Sequence, residues 1–130
     1  MNKKVLVVDD DPDVRSFVVT VLEENGYMPI VAHDGVEGLE MIEREHPDLV
    51  ILDVLMPRGS GIRLYRHLKT DAVLKNLPVI MFTGIALRSF LKSQKILDEF
   101  KGGEIPMPDI YLEKPVEPEE LVQAIQTKIG

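Results

Sequence analysis

Strand-like runs alternate with helix-like stripes from one end of this chain to the other, and few architectures accept such a pattern. Lys4–Val8, Met28–Ala32, Leu49–Leu52, Val79–Phe82 and Ile110–Leu112 are short runs rich in Val, Ile and Leu, with the length and composition of buried strands. Helical periodicity fills the intervals between them. Such an alternation implies a parallel sheet with helices on both faces. Leu49-Val50-Ile51-Leu52 is aliphatic at every position, so the third strand is expected to be covered on both sides. The fold class predicted is α/β: a doubly wound, five-stranded parallel sheet, with residues 1–130 forming a single domain.

The helices carry their own boundary marks. Asp11-Pro12 reads as an N-cap with proline at the first helical position. Val14, Phe17, Val18, Val21 and Leu22 then make one apolar stripe, closed by Gly26. Asp34 and Glu37 have capping-box spacing for a second helix that runs to about Glu45. After the loop Met56–Gly61, the stripe Ile62, Tyr65, Leu68 marks a third. A fourth is expected through about Phe100, with Gly102-Gly103 as its break. Glu117-Pro118 opens the last, striped by Leu121, Ala124, Ile125 and Lys128 or Ile129.

Composition excludes several classes. At 130 residues, 45% hydrophobic and 28% charged, the chain can fill one core. A net charge of −7 argues against direct nucleic-acid binding, which needs a basic face. The absence of cysteine removes disulfides, thiolate zinc sites and thiol catalysis, and makes the cytoplasm the natural compartment. The longest mostly apolar stretch, Leu77–Leu87, contains Pro78 and Gly84 and falls well short of the roughly 20 residues that span a membrane. The apolar run after Lys3 and Lys4 is too short for a signal peptide. No membrane partner is expected.

A parallel sheet gathers the residues that follow its strands at one edge, where open α/β sheets bind ligands. Here those residues are Asp9 and Asp10, Asp53, Thr83 and Lys114. Each alone has an ordinary explanation as a turn former or cap, and Asp11 is assigned to that role. Together they make a chemical group. Three carboxylates and one ammonium are costly to confine in a partly buried cleft, and a divalent cation neutralises the excess. The ligands on offer are oxygens, with no sulfur and no nearby histidine, so Mg²⁺ (or Mn²⁺) is favoured over zinc. A metal kept partly hydrated leaves room for phosphoryl oxygens, which Lys114 and the Thr83 hydroxyl can also contact. Asp53, on the middle strand of the group, is the plausible nucleophile, since carboxylates form aspartyl-phosphates. His33, His46 and His67 lie away from these acids and are expected to be solvated.

The chain resembles the receiver domains of two-component response regulators. The residues that carry the resemblance are Val5-Leu6-Val7-Val8-Asp9-Asp10, Leu52-Asp53-Val54-Leu55-Met56-Pro57 with Gly61, Thr83-Gly84 and Lys114-Pro115. They come in the family's order and spacing over the whole chain. The resemblance implies a flavodoxin-like strand order, 2-1-3-4-5. It implies phosphorylation at Asp53, with Mg²⁺ held by the Asp10 and Asp53 side chains and the Leu55 backbone carbonyl, Asp9 assisting. Thr83 and Lys114 would bind the phosphoryl group, and Tyr111 would change rotamer with Thr83. The donor would be a sensor histidine kinase or a phosphotransfer protein, and the output an unidentified downstream protein or effector domain, with dimerisation a further outlet.

One stretch departs from the family pattern. Thr83 and Lys114 are further apart than in most receivers, Gly102–Asp109 replaces the usual Gly-Ala-Asp approach to the last strand, and Lys-Pro-Phe is here Lys114-Pro115-Val116. These changes fall on a surface that many receivers use for output, and the extra segment is expected to reshape it. A receiver-like scaffold that is never phosphorylated would have lost some of the five site residues, and this chain keeps them all. An aspartate-nucleophile phosphatase would want a second acid two residues after Asp53, where Leu55 stands. The chain is therefore read as a phosphoacceptor with at most self-phosphorylation and self-dephosphorylation, not as an enzyme acting on other substrates.

Overall fold

Alternation in sequence becomes alternation of faces in the sheet. The computed structural model describes residues 2–93 and 106–130. Along it run β1 (Lys4–Val8), α1 (Pro12–Glu24), β2 (Met28–Ala32), α2 (Gly35–Glu45), β3 (Leu49–Leu52), α3 (Ser60–Thr70) and β4 (Val79–Thr83). Residues 87–93 are helical and are called α4; β5 (Ile110–Glu113) and α5 (Pro118–Ile129) follow. The strands form one parallel sheet in the order β2-β1-β3-β4-β5. The predicted fold class and strand order are both found.

Successive strand residues point to opposite sides. Leu6, Val8, Val50, Leu52, Val79 and Met81 pack in one layer with Ile42 of α2, Leu64, Tyr65 and Leu68 of α3, and Phe90 of α4. Val5, Val7, Leu49, Ile51, Ile80 and Phe82 pack in the other with Val18, Val21 and Leu22 of α1 and Leu121, Ala124 and Ile125 of α5. All four residues of β3 are buried, as an all-aliphatic strand predicts. Each such side chain contributes about 1.5–3 kcal/mol, so two apolar layers hold the sheet as a platform.

The caps form with small differences. Asp11 accepts a hydrogen bond from the Asp13 amide at 2.9 Å, and Pro12 opens α1. Asp34 accepts from the Glu37 amide at 2.8 Å, but the Glu37 carboxylate reaches back one residue further, to the His33 amide at 2.9 Å. On α3 the buried face is Gly61, Leu64, Tyr65 and Leu68, with Ile62 only half-buried. On α5 it is Ile129 that continues the stripe into the core, while Lys128 stays exposed. β4 and β5 each extend one residue beyond their apolar runs, because Thr83 and Glu113 still pair in the ladder. The predicted end of the fourth helix near Phe100 and the Gly102-Gly103 break lie outside the described residues. No helix among the described residues is long and apolar enough to cross a membrane.

The end of the lengthened stretch is seated on α3. Pro108 is buried, and the Tyr65 hydroxyl donates to the Pro106 carbonyl. Asp109 accepts from the Val79 amide at 2.9 Å and from Lys69 Nζ at 3.2 Å, with Lys128 Nζ at 3.6 Å. These bonds fasten the amino end of β5 to β4, α3 and α5.

Candidate functional site

The order of the strands reverses at β1, which has β2 on one side and β3 on the other; open α/β sheets bind ligands beside such a point. The last rungs of the ladder fix what emerges there. The Asp9 amide donates to the Ala32 carbonyl at 3.1 Å and the Asp53 amide to the Val8 carbonyl at 3.0 Å. Asp9 and Asp53 are therefore held by the sheet itself, and are only 2% and 5% exposed.

Four of the predicted site residues converge directly. One carboxylate oxygen from each of Asp9, Asp10 and Asp53 lies within 4.8 Å of the others. Lys114 Nζ donates to Asp9 Oδ2 at 2.8 Å and to Asp53 Oδ2 at 3.1 Å. The remaining oxygens are occupied by backbone: Asp9 Oδ1 accepts from the Asp11 amide, and Asp53 Oδ1 from the Leu55 amide, both at 2.9 Å. Asp10 differs from its neighbours. It is exposed, and its carboxylate has no hydrogen-bond partner among the described residues. Lys114 is delivered by its own amide, which donates to the Thr83 carbonyl at 2.8 Å, just before the cis Lys114–Pro115 bond. Its ammonium also lies 5.4 Å from the centroid of the Phe82 ring, close enough for a cation–π contribution.

Burial pushes the Asp9 carboxyl above the usual carboxylate range, and the nearby Asp53 charge adds to it. The bonds from Lys114 and the Asp11 amide recover only part of this rise. Burial pulls Lys114 down, but the bonds and charges of Asp9 and Asp53 outweigh it and hold the ammonium protonated above its ordinary range. Two of the three clustered acids thus share one lysine, and the group carries a formal excess of negative charge. Oxygen ligands and unbalanced negative charge suit a hard divalent cation, and the exposed Asp10 carboxylate gives it an open approach.

Thr83 is fully buried beneath this group. Its hydroxyl accepts from the Ile85 amide at 3.5 Å, the outer limit of a hydrogen bond. Tyr111, half-buried on the edge strand β5, stands next to it. Its hydroxyl donates to the Ile85 carbonyl at 2.6 Å, and its ring tilts against Phe90 at 5.4 Å, which in turn meets Tyr65 edge-on at 6.3 Å. Burial, helped by the Glu113 and Asp53 charges, pushes the Tyr111 phenol up to about 12, so it remains a hydrogen-bond donor. Leu55 sends its amide into the site, while the residue as a whole is 54% exposed.

Glycine sets the shape of the loop after Asp53. A Cβ at Gly61 would collide with the Asp53 carbonyl oxygen and lie 2.8 Å from Val54 Cα, so only glycine lets the first turn of α3 press against that loop. Three contributors are not identified from the sequence. Arg15 donates to the Asp9 carbonyl at 2.7 Å, Phe82 lies against Lys114, and Phe90 links two tyrosines. Arg15 follows the Asp11 cap by four residues, one helical turn, which is the signal that places it back toward the loop. His33 pairs with Asp34 and Glu37 on an exposed surface and takes no part in the acid cluster.

Residues 5–126 match the family described as the response regulator receiver domain. The chain is 35% identical over 126 residues to the phosphate regulon transcriptional regulatory protein PhoB of Escherichia coli, covering 97% of this chain and 51% of that protein. It is 38% identical over 122 residues to the response regulator MprA of Mycobacterium ulcerans, covering 94% and 48% respectively. The chain spans about half the length of these relatives. Among solved structures, the chemotaxis response regulator CheY4 of Vibrio cholerae superposes with a TM-score of 0.80 at 28% identity, over 98% of each chain.

Proposed function

The chain belongs to the response regulator receiver domains, and from that premise we propose that its switch is thrown by phosphorylation of Asp53. The observation that carries this reading is the setting of that carboxylate. One oxygen is held by the Leu55 amide and the other by Lys114, with Asp9 and Asp10 alongside. Asp9, Asp10 and Asp53, with the Leu55 carbonyl, are the residues that would hold Mg²⁺ (or Mn²⁺). Bound there, such an ion would supply positive charge to offset that of the phosphoryl oxygens.

An Asp53 oxygen attacks phosphorus in a phosphohistidine on a sensor kinase or phosphotransfer protein. The P–O bond forms as the P–N bond breaks, and the electron pair leaves with the imidazole, which takes up a proton. The product adds about −1.5 to −2 charge at Asp53. Lys114, already in contact, pairs with one new oxygen. The Thr83 hydroxyl is bound only at 3.5 Å, so little opposes its turning to donate to another. Tyr111 then exchanges its bond to the Ile85 carbonyl for an inward position, and the surface around β4, α4 and β5 changes.

This chain's own chemistry stops at accepting and losing the phosphoryl group. Leu55 places an exposed apolar side chain where an aspartate-nucleophile phosphatase would want an acid. The output is a protein contact or a dimer. The transcriptional role in the name of PhoB belongs to that longer protein, and a net charge of −7 speaks against nucleic acid as a direct partner here. With no cysteine in the sequence, the cytoplasm is the compartment we assign.

Incubation with acetyl phosphate and Mg²⁺ tests the reading. Intact mass is expected to rise by one phosphoryl group in the wild type, and not in Asp53→Asn or in the presence of EDTA. No gain in the wild type would overturn it and leave an unphosphorylated, receiver-like scaffold.

A further inference from the structure

Arg15 lies outside the acid cluster yet holds both ends of the turn that displays Asp10. We propose that it is a positioning residue for the divalent cation, acting through the backbone of Asp9–Asp11. The inference rests on the reading that Asp9, Asp10 and Asp53 receive that cation.

The sheet ladder ends within Asp9. Its amide is the last to pair with β2, donating to the Ala32 carbonyl, and its carbonyl is met instead by Arg15, whose guanidinium donates at 2.7 Å. The Arg15 amide donates to the Asp11 carbonyl at 3.0 Å, as part of the first turn of α1. One residue therefore grips the carbonyls of the residues on either side of Asp10. The Asp9 carboxylate closes the same turn by accepting from the Asp11 amide at 2.9 Å. Between these fixed points Asp10 is exposed and its carboxylate has no hydrogen-bond partner among the described residues, so the backbone sets where it is presented. A carboxylate with no partner of its own is a good ligand only if the chain aims it.

The charge of Arg15 makes the inference sharp. A half-buried cation beside a cation site opposes metal binding through space. If Arg15 acted only as a charge, removing it would tighten the metal. If it positions Asp10, removing it loosens the metal, as the loss of groups that orient metal ligands does in general. The two roles have opposite signs.

The test is a Mg²⁺ titration of the chain, followed by the amide NMR signals of residues 10 and 53, with thermal unfolding in EDTA as a check on the fold. Arg15→Met, which keeps the stem but loses charge and donor, is expected to weaken Mg²⁺ binding by about tenfold. Arg15→Lys, which keeps the charge and one donor, is expected to remain within about twofold of the wild type. Should Arg15→Met unfold, Arg15→Leu, which likewise has neither charge nor donor, takes its place. Equal or tighter Mg²⁺ binding by Arg15→Met or Arg15→Leu overturns the inference. So does a loss in Arg15→Lys as large as in Arg15→Met. If the wild type itself binds no Mg²⁺, the reading of the acid cluster falls first, and this inference with it.

Discussion

At the amino edge of the sheet, Asp109 receives the Val79 amide, Lys69 and Lys128. At the carboxyl edge, Asp9 and Asp53 share Lys114, and Asp10 stands beside them with no hydrogen-bond partner among the described residues. Both edges are built from aspartate and lysine, yet their electrostatics differ in sign. Burial opposes the charge of Asp109, but the Val79 bond and the two lysines more than offset it and hold that carboxyl below the usual range. The Asp9 carboxyl is held above it. An acid supplied with enough donors ties elements together. Acids left short of positive charge make a place for something that brings it.

The largest effect should come at the satisfied edge. Lys69 is only 7% exposed along its side chain, and Asp109→Ala leaves it without its carboxylate. Urea unfolding should show a loss of about 2 kcal/mol, with phosphorylation by acetyl phosphate little changed. A loss confined to phosphorylation would break the distinction between the two edges.

At the other edge, removing a charge should have the opposite sign. Asp9→Asn relieves a buried, under-compensated carboxylate, and in EDTA its stability should exceed that of the wild type by about 1 kcal/mol. Saturating Mg²⁺ should reverse the order, because only the wild type then gains fully from binding: about 1.4 kcal/mol when free metal is ten times the dissociation constant.

The smallest effect is in pH dependence. The folded pKa of Asp109 lies below its ordinary 3.8, so its contribution is intact above that value and is lost as pH falls through the folded pKa. The folded pKa of Asp9 lies above 3.8, so the folded state binds that proton more tightly and gains stability as pH falls toward 3.8. In EDTA, the gap between wild type and Asp9→Asn should therefore narrow on acidification from neutral pH, while the gap to Asp109→Asn should persist until about pH 4. Parallel behaviour of the two gaps would contradict the assigned directions.

The carboxyl edge was the more legible of the two, for a physical reason. Its residues stand immediately after, or at the end of, aliphatic runs, and a parallel sheet sends all of those ends the same way, so Asp9, Asp10, Asp53, Thr83 and Lys114 could be grouped from the sequence alone. The amino edge depends on side chains reaching between helices: Lys69 and Lys128 converge on Asp109 from α3 and α5, and no local spacing announces it. Arg15 is intermediate, since its helical turn is readable but its choice of the Asp9 carbonyl depends on where the ladder stops. Gly61 shows the same limit. Its place in the motif can be read, while its close approach to Asp53 exists only once α3 has packed. Ile62 misled the stripe of α3 because Leu64, on the neighbouring row, fills the core instead.

The most direct test of the central claim is a crystal structure with Mn²⁺ and beryllofluoride, a phosphoryl mimic. The anomalous peak should fall among Asp9, Asp10, Asp53 and the Leu55 carbonyl, with beryllofluoride on Asp53 in contact with Lys114 Nζ and the Thr83 hydroxyl. Manganese bound elsewhere, or Asp53 bare while the ion is present, would contradict the account.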